Sequence, residues 1–225
     1  MPTKLIVAAA VILTLAGAVH LGAQAPAARQ LPRGAAAQVA AAGPSDGPRF
    51  SAAGMLQRPD DYREWNFVTT GLGMTYGPTQ PAAGDPRFFD NVFVNRASYR
   101  EFLKTGQWPD KTMFVLEIRS SEAKVSIDNG GQTQGSRIIA IEAAVKDVNR
   151  FKETGGWGYF DFGGGTELKA EMPALPKSAT CYACHQANTA VENTFVQFYP
   201  TLFDVARRMG TVKPTYDPNH KVGQP

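Results

Sequence analysis

Cys181-Tyr182-Ala183-Cys184-His185 is the stretch of this chain best equipped for chemistry, and it holds both of the protein's cysteines. In a C-x-x-C-H run the two thiols can form thioethers with the two vinyl groups of a haem, while the adjacent histidine ligates the iron. Three other chemistries use part of the same pattern. A thioredoxin-like redox pair needs a strand end in a βαβ unit before the first cysteine, whereas Pro173 to Thr180 reads as loop. A structural zinc needs four ligands, and Cys181, Cys184 and His185 leave the fourth without a second cysteine pair. A disulfide across a two-residue spacer closes a small, strained loop and stabilises little. The motif therefore predicts one covalently attached haem c per chain, anchored at Cys181 and Cys184, with His185 as the iron ligand.

The second axial position is less constrained. The chain has three histidines, of which His20 lies in the predicted N-terminal signal and His220 in a polar tail. The sixth position is therefore either open or held by methionine, with Met172, just before the motif, ahead of Met113, Met74, Met55 and Met209. Each of these is equally an ordinary core residue. An open position requires apolar cover, and Phe93, Phe114 and Leu116 on predicted strands are the obvious supply, although plain core packing would use them too. Such a pocket admits a small diatomic or N-oxide ligand. Glu117, Asp147, Glu167 and Glu171 carry no sign of acid–base duty. Gly163-Gly164-Gly165 lacks the Lys-Ser/Thr of a phosphate loop.

The elements that must hold these groups follow from patterning. Thr180 is expected to cap a short helix with Cys181, Cys184 and His185 on one face. A last helix runs from Pro200 to Gly210, with Leu202, Val205, Ala206 and Met209 as its inner stripe. Asn66 to Thr70 and Asn91 to Val94 read as strands, and Asn95 is expected to cap a helix that buries Ala97, Phe102 and Leu103 before Gly106 stops it. Thr112 to Arg119 alternates, with Phe114, Leu116 and Ile118 on one face and Met113, Val115 and Glu117 on the other. Lys124 to Ile127, the turn Asp128-Asn129-Gly130-Gly131 and the apolar run Ile138 to Val145 predict a hairpin, and Trp157 to Phe162 is a further aromatic strand. The fold class expected is α+β, a mainly antiparallel β-sheet with packed helices and a C-terminal haem c attachment helix.

Lys4 followed by the uncharged run Leu5 to Val19 and small residues at Ala23 and Ala25 predicts a secretory signal over 1–23, with an earlier cut after Ala16-Gly17-Ala18 as the alternative. The apolar run is shorter than the ~20 residues of a membrane span, and an uncleaved anchor would leave the body on the same side. Residues 24–48 form an Ala/Pro-rich linker with too few large apolar side chains to fold. Residues 49–212 make one domain, and 213–225 a flexible tail. The location expected is periplasmic, because thioether attachment of haem in bacteria occurs outside the cytoplasm. A formal net charge of +3 without runs of like charge gives no electrostatic case for nucleic acid or an anionic membrane. A docking patch for a redox partner protein stays open.

Several stretches resemble the cytochrome P-460 family and its relatives, the beta-type cytochromes c-prime. They are Tyr62-Arg63-Glu64-Trp65, Asn91 to Phe102, Gly106 to Thr112 with its Pro-Asp-x-Thr turn, Gly155 to Phe160, the C-x-x-C-H run, and Phe195 to Pro200. The resemblance implies an antiparallel β domain with helices packed on it, a homodimer, and a five-coordinate haem c whose axial ligand matches His185. In cytochromes P-460 proper, a strand lysine after the Pro-Asp-x-Thr turn makes an extra bond to the haem edge and equips it to oxidise hydroxylamine and related N-oxides. Relatives without that bond carry a bulky apolar cap and bind nitric oxide or carbon monoxide. Leu116 stands where many members have the lysine, and Lys111 or Lys124 could replace it only in a different register. The expected activity is therefore binding or slow turnover of nitric oxide or a related nitrogen oxide. The alternatives are a hydroxylamine- or nitric oxide-oxidising enzyme and a Met–His electron carrier.

Overall fold

The computed structural model describes residues 46–76 and 86–220. The predicted signal, residues 24–45 of the predicted linker and the last five residues of the tail lie outside them. β-Branched and aromatic residues alternating with smaller or polar ones build five antiparallel strands that pair in chain order: β2 (Asn66–Leu72), β3 (Phe88–Val94), β4 (Met113–Glu122), β5 (Thr133–Lys146) and β6 (Trp157–Asp161). A separate pair, β1 (Leu56–Gln57) with β7 (Glu171–Met172), covers part of the sheet's back. The helices are α1 (Arg96–Thr105), α2 (Thr180–Asn188) and α3 (Pro200–Met209). The expected mainly antiparallel α+β architecture is what the chain adopts.

Alternation along the central strand β4 divides the core in two. On the front, Phe114 packs with Val94, Trp157, Tyr159 and the buried residues of α1 and α3, and Cys181 and Tyr182 of α2 lie against this cluster. On the back, Met113 and Val115 pack with Leu56, Tyr62, Trp65, Phe160 and Phe162. The two-faced reading of this strand is correct because the pleat makes side-chain direction a purely local property.

Phe93, predicted to wall the pocket with Phe114, is on the back instead. It is paired with Val115, and its ring meets Tyr62 at 5.4 Å and Phe67 at 5.6 Å. Register decides this, since neighbours in adjacent strands share a face, and Phe114 pairs with Val94. Val92, opposite Leu116, occupies the front position expected of Phe93.

Other expectations shift for similar tertiary reasons. Asn95 stands at the N-cap of α1, but its side chain makes no capping hydrogen bond. Its Oδ1 accepts the Met113 N–H at 2.9 Å, and Asp46 caps the helix through Oδ2, which accepts the Arg96 N–H at 2.5 Å. Thr180 is the first residue of α2, behind Ala179 at the cap. In α1, Ser98 and Phe102 are buried while Ala97 and Leu103 face outward. In α3, Leu202, Val205 and Ala206 are buried, but Met209 is exposed. Gly106 and Gly210 end their helices in the left-handed conformation at φ 69° and 67°, as glycine after a helix allows. Lys124 to Ile127 lies in the β4–β5 connection rather than in a strand. The start of the tail is anchored: Lys213 N–H donates to the Ala190 carbonyl at 2.8 Å, and Tyr216 packs edge-on to Phe203.

Candidate functional site

The motif sits on a single turn and a half of helix. Both cysteines are free and partly buried on α2, and burial pushes the Cys181 thiol up. Among the described residues no three His, Cys, Asp or Glu side chains converge as a metal cage requires. The helix offers two thiols and an imidazole within one short stretch.

His185 is held on three sides. Its ring lies 4.5 Å from Tyr159 and 4.6 Å from Phe195, and its Nδ1 is 2.8 Å from the carbonyl oxygen of Asn193. A carbonyl only accepts, so Nδ1 carries the proton and Nε2 keeps its lone pair. Burial lowers the imidazole's pKa and outweighs the opposing hydrogen bond, which favours the neutral ring that a metal ligand must be. This arrangement fits a haem iron at Nε2 with thioethers at Cys181 and Cys184.

The sheet supplies the opposite wall, and register sets its composition row by row. Val94, Phe114, Ala144 and Tyr159 form one front-face row; Val92, Leu116, Glu142 and Asp161 form the next; Asp90, Ile118 and Ala140 form a third. The Phe114 row is core: its ring is buried between Trp108 at 4.8 Å and Tyr199 at 5.9 Å. From Leu116 onward the face opens, with Leu116, Val92 and Asp90 half-buried and Glu142 accessible. Desolvation pushes Asp90 up to about 6 and Tyr76 up to about 12, and raises Glu142, with Asp161 and Asp90 adding to the last by charge repulsion. Tyr76 feels Asp90, Cys184 and Glu142 together, so these groups share one neighbourhood with the motif. Among the described residues neither Glu142 nor Asp90 forms an ion pair.

The structure thus brings Cys181, Cys184 and His185 together with the front face that bears Phe114 and Leu116, and leaves Phe93 behind the sheet. Sequence reasoning missed Glu142, Asp90, Tyr76 and the Asn193 carbonyl. Glu142 had a signal, being the lone charge in the apolar run Ile138 to Val145. The lysines weighed as substitutes for position 116 are elsewhere: Lys111 pairs with Asp147 at 2.5 Å, and Lys124 lies in the β4–β5 connection. Met113 and Met172 pack behind the sheet, while Met74 reaches the front, where its sulfur fills the space beside Gly71 near Asp90. Glu117 is buried behind the sheet, hydrogen-bonded to Tyr62, and points away from the site.

No curated protein matches the chain. The sequence profile described as Cytochrome P460 matches residues 59–196, a span that runs from the turn before β2 through α2 and the Asn193 turn. With the motif, the imidazole's free nitrogen and the accessible front face all inside or beside that span, the protein is a haem c cytochrome and belongs to the cytochrome P460 family.

Proposed function

We propose that this is an exported, mono-haem cytochrome whose haem is joined to Cys181 and Cys184, with iron held by His185 and its other side open to nitric oxide or a related small nitrogen oxide. The observation that carries this reading is Leu116, half-buried on the front face at the point where the buried core gives way to more accessible residues. Its side chain has no amine with which to attack a haem edge. Bound there, the haem supplies a redox-active iron able to take a diatomic or N-oxide ligand.

The chain's own residues do the rest. His185 offers Nε2 because Nδ1 is committed to Asn193. Leu116 and Val92 present apolar branches that disfavour water over the reacting side. Glu142, opposite Leu116, keeps its proton above the pH at which an ordinary glutamate ionises and can donate it to a ligand oxygen. Periplasmic location rests on Lys4 and the apolar run after it, and a homodimer on the family resemblance.

A Met–His electron carrier is the second reading, favoured by Met74 on the front face. Optical and electron-paramagnetic spectra of the purified ferric and ferrous protein separate the two. The open site predicts a high-spin ferric haem that binds carbon monoxide when reduced, with intact mass and haem-peptide mapping giving one haem on two thioethers. A low-spin haem that refuses carbon monoxide until Met74 is replaced by Ala sinks the open site. A third covalent bond points to the oxidising enzyme instead.

A further inference from the structure

The carbonyl that receives the His185 proton belongs to a tight turn, Val191 to Thr194, closed by the Thr194 N–H donating to the Val191 carbonyl at 3.0 Å. Its first central residue is Glu192, at φ +50°. A positive φ there is the place for Gly, Asn or Asp, and a long side chain in this conformation is strained. The carboxylate explains why a glutamate is there. Oε1 accepts the Trp108 backbone N–H at 3.1 Å; Oε2 accepts the Trp157 indole N–H at 3.3 Å and pairs with Lys146 Nζ at 2.7 Å. Lys146 in turn donates to the Trp108 carbonyl at 2.6 Å, and Trp108 Nε1 donates to Thr194 Oγ1 at 2.9 Å. Both ends of the turn are thereby tied to the sheet and to the segment after α1. Thr189 Oγ1, 2.5 Å from the His185 carbonyl and 2.8 Å from that of Glu192, joins the turn to the end of α2.

We propose that Glu192, locked by Lys146 and the two tryptophans, is a positioning residue for the axial imidazole, setting how firmly the Asn193 carbonyl holds the His185 N–H and so how strongly the ring donates to iron. The proposal rests on the reading of His185 as the axial ligand and adds what tunes it. A firmly placed acceptor raises the basicity of a ligating imidazole and favours the ferric state. It also resists loss of the histidine when a nitrogen oxide binds on the opposite side.

The test uses the full-length holoprotein. Glu192→Gly keeps a residue suited to the positive φ, so the turn survives while the clamp is lost. Lys146→Met leaves the turn's backbone untouched and removes one arm. Resonance Raman of the ferrous protein reads the iron–histidine stretch, and redox titration reads the midpoint potential. Glu192→Gly is expected to lower the frequency and raise the potential, Lys146→Met to do both to a smaller extent, and the pair together to shift no further than Glu192→Gly alone. Thermal melting reports any purely structural effect separately. Melting temperatures that fall while frequency and potential stay at the wild-type values overturn the proposal. A wild-type protein that is high-spin and five-coordinate in the ferrous state yet shows no iron–histidine band overturns the axial reading itself, and the tuning with it.

Discussion

Leu116 and Glu117 are neighbours on one strand, yet they face two kinds of environment. Behind the sheet, the Glu117 carboxylate is buried and fully answered. Tyr62 Oη and Arg63 donate to Oε2, Arg119 Nε donates to Oε1 at 2.6 Å, and Asn91 Nδ2 approaches Oε1 at 3.4 Å. Burial alone would raise its pKa, but the hydrogen bonds from Arg119, Tyr62 and Arg63 outweigh that and hold it below the usual carboxylate range. In front, Glu142 and Asp90 have no such cations among the described residues, and both are pushed upward. One face spends its charges on holding the sheet together, and the other keeps protonatable groups beside the motif. Uncompensated carboxylates on an accessible face suit a ligand site and are what a core avoids.

Moving one cation by one residue gives the largest expected contrast. Glu117→Lys places a third cation beside Arg63 and Arg119 in a buried position and is expected to cost at least about 4 kcal/mol. Leu116→Lys sets an ammonium opposite Glu142 at a half-buried position and is expected to change stability by under about 1 kcal/mol. Urea denaturation of the two variants measures both, and similar losses would erase the distinction between the faces.

Acid should separate the faces next. Glu117 has a folded pKa below its unfolded one, so its contribution is present above about pH 4.5, the ordinary glutamate value, and is lost as pH falls through the depressed one. Glu117→Gln is expected to lose about 2 kcal/mol at neutral pH and to flatten the acid limb of the stability curve. Glu142→Gln, which removes a group whose pKa is raised instead, should not flatten that limb, and denaturation midpoints across a pH series would show either.

Asp90 carries the smallest effect and the opposite sign. Its folded pKa of about 6 lies above the ordinary 3.8, so its favourable contribution is complete below 3.8 and disappears as pH rises through about 6. Asp90→Asn is therefore expected to stabilise the protein at pH 7 by about 1 kcal/mol, after allowance for solvent screening, and to have no benefit at pH 3.5. A neutral-pH loss would mean that Asp90 has a cationic partner after all.

Much of the fold was legible because its signals are local. The period-2 pattern of β4, the glycine stops of α1 and α3 and the Pro200 start of α3 each depend on residues a few positions apart. The site was legible in its proximal half only. Phe93 was misplaced although its strand was found, since alternation says which residues share a face within a strand but not which face meets which in the next. Glu117 looked ordinary because its partner Arg63 is 54 residues away. Glu142 became a site residue only when β5 paired with β4 and set it opposite Leu116.

By itself the sequence determined the chemistry that adjacency dictates: two thiols and an imidazole within five residues can capture and ligate a haem in whatever fold carries them, and a leucine at position 116 has no amine to add. Tertiary structure alone decided what surrounds that chemistry, from the Asn193 carbonyl that orients His185 to the carboxylates gathered in front of the sheet. The reason is geometric. Direction along a strand is set by the backbone of that strand, whereas alignment between strands depends on interstrand hydrogen bonds and bulges such as those at Phe67–Thr69 and Ile118–Arg119, and a slip of one residue would send every side chain to the other face.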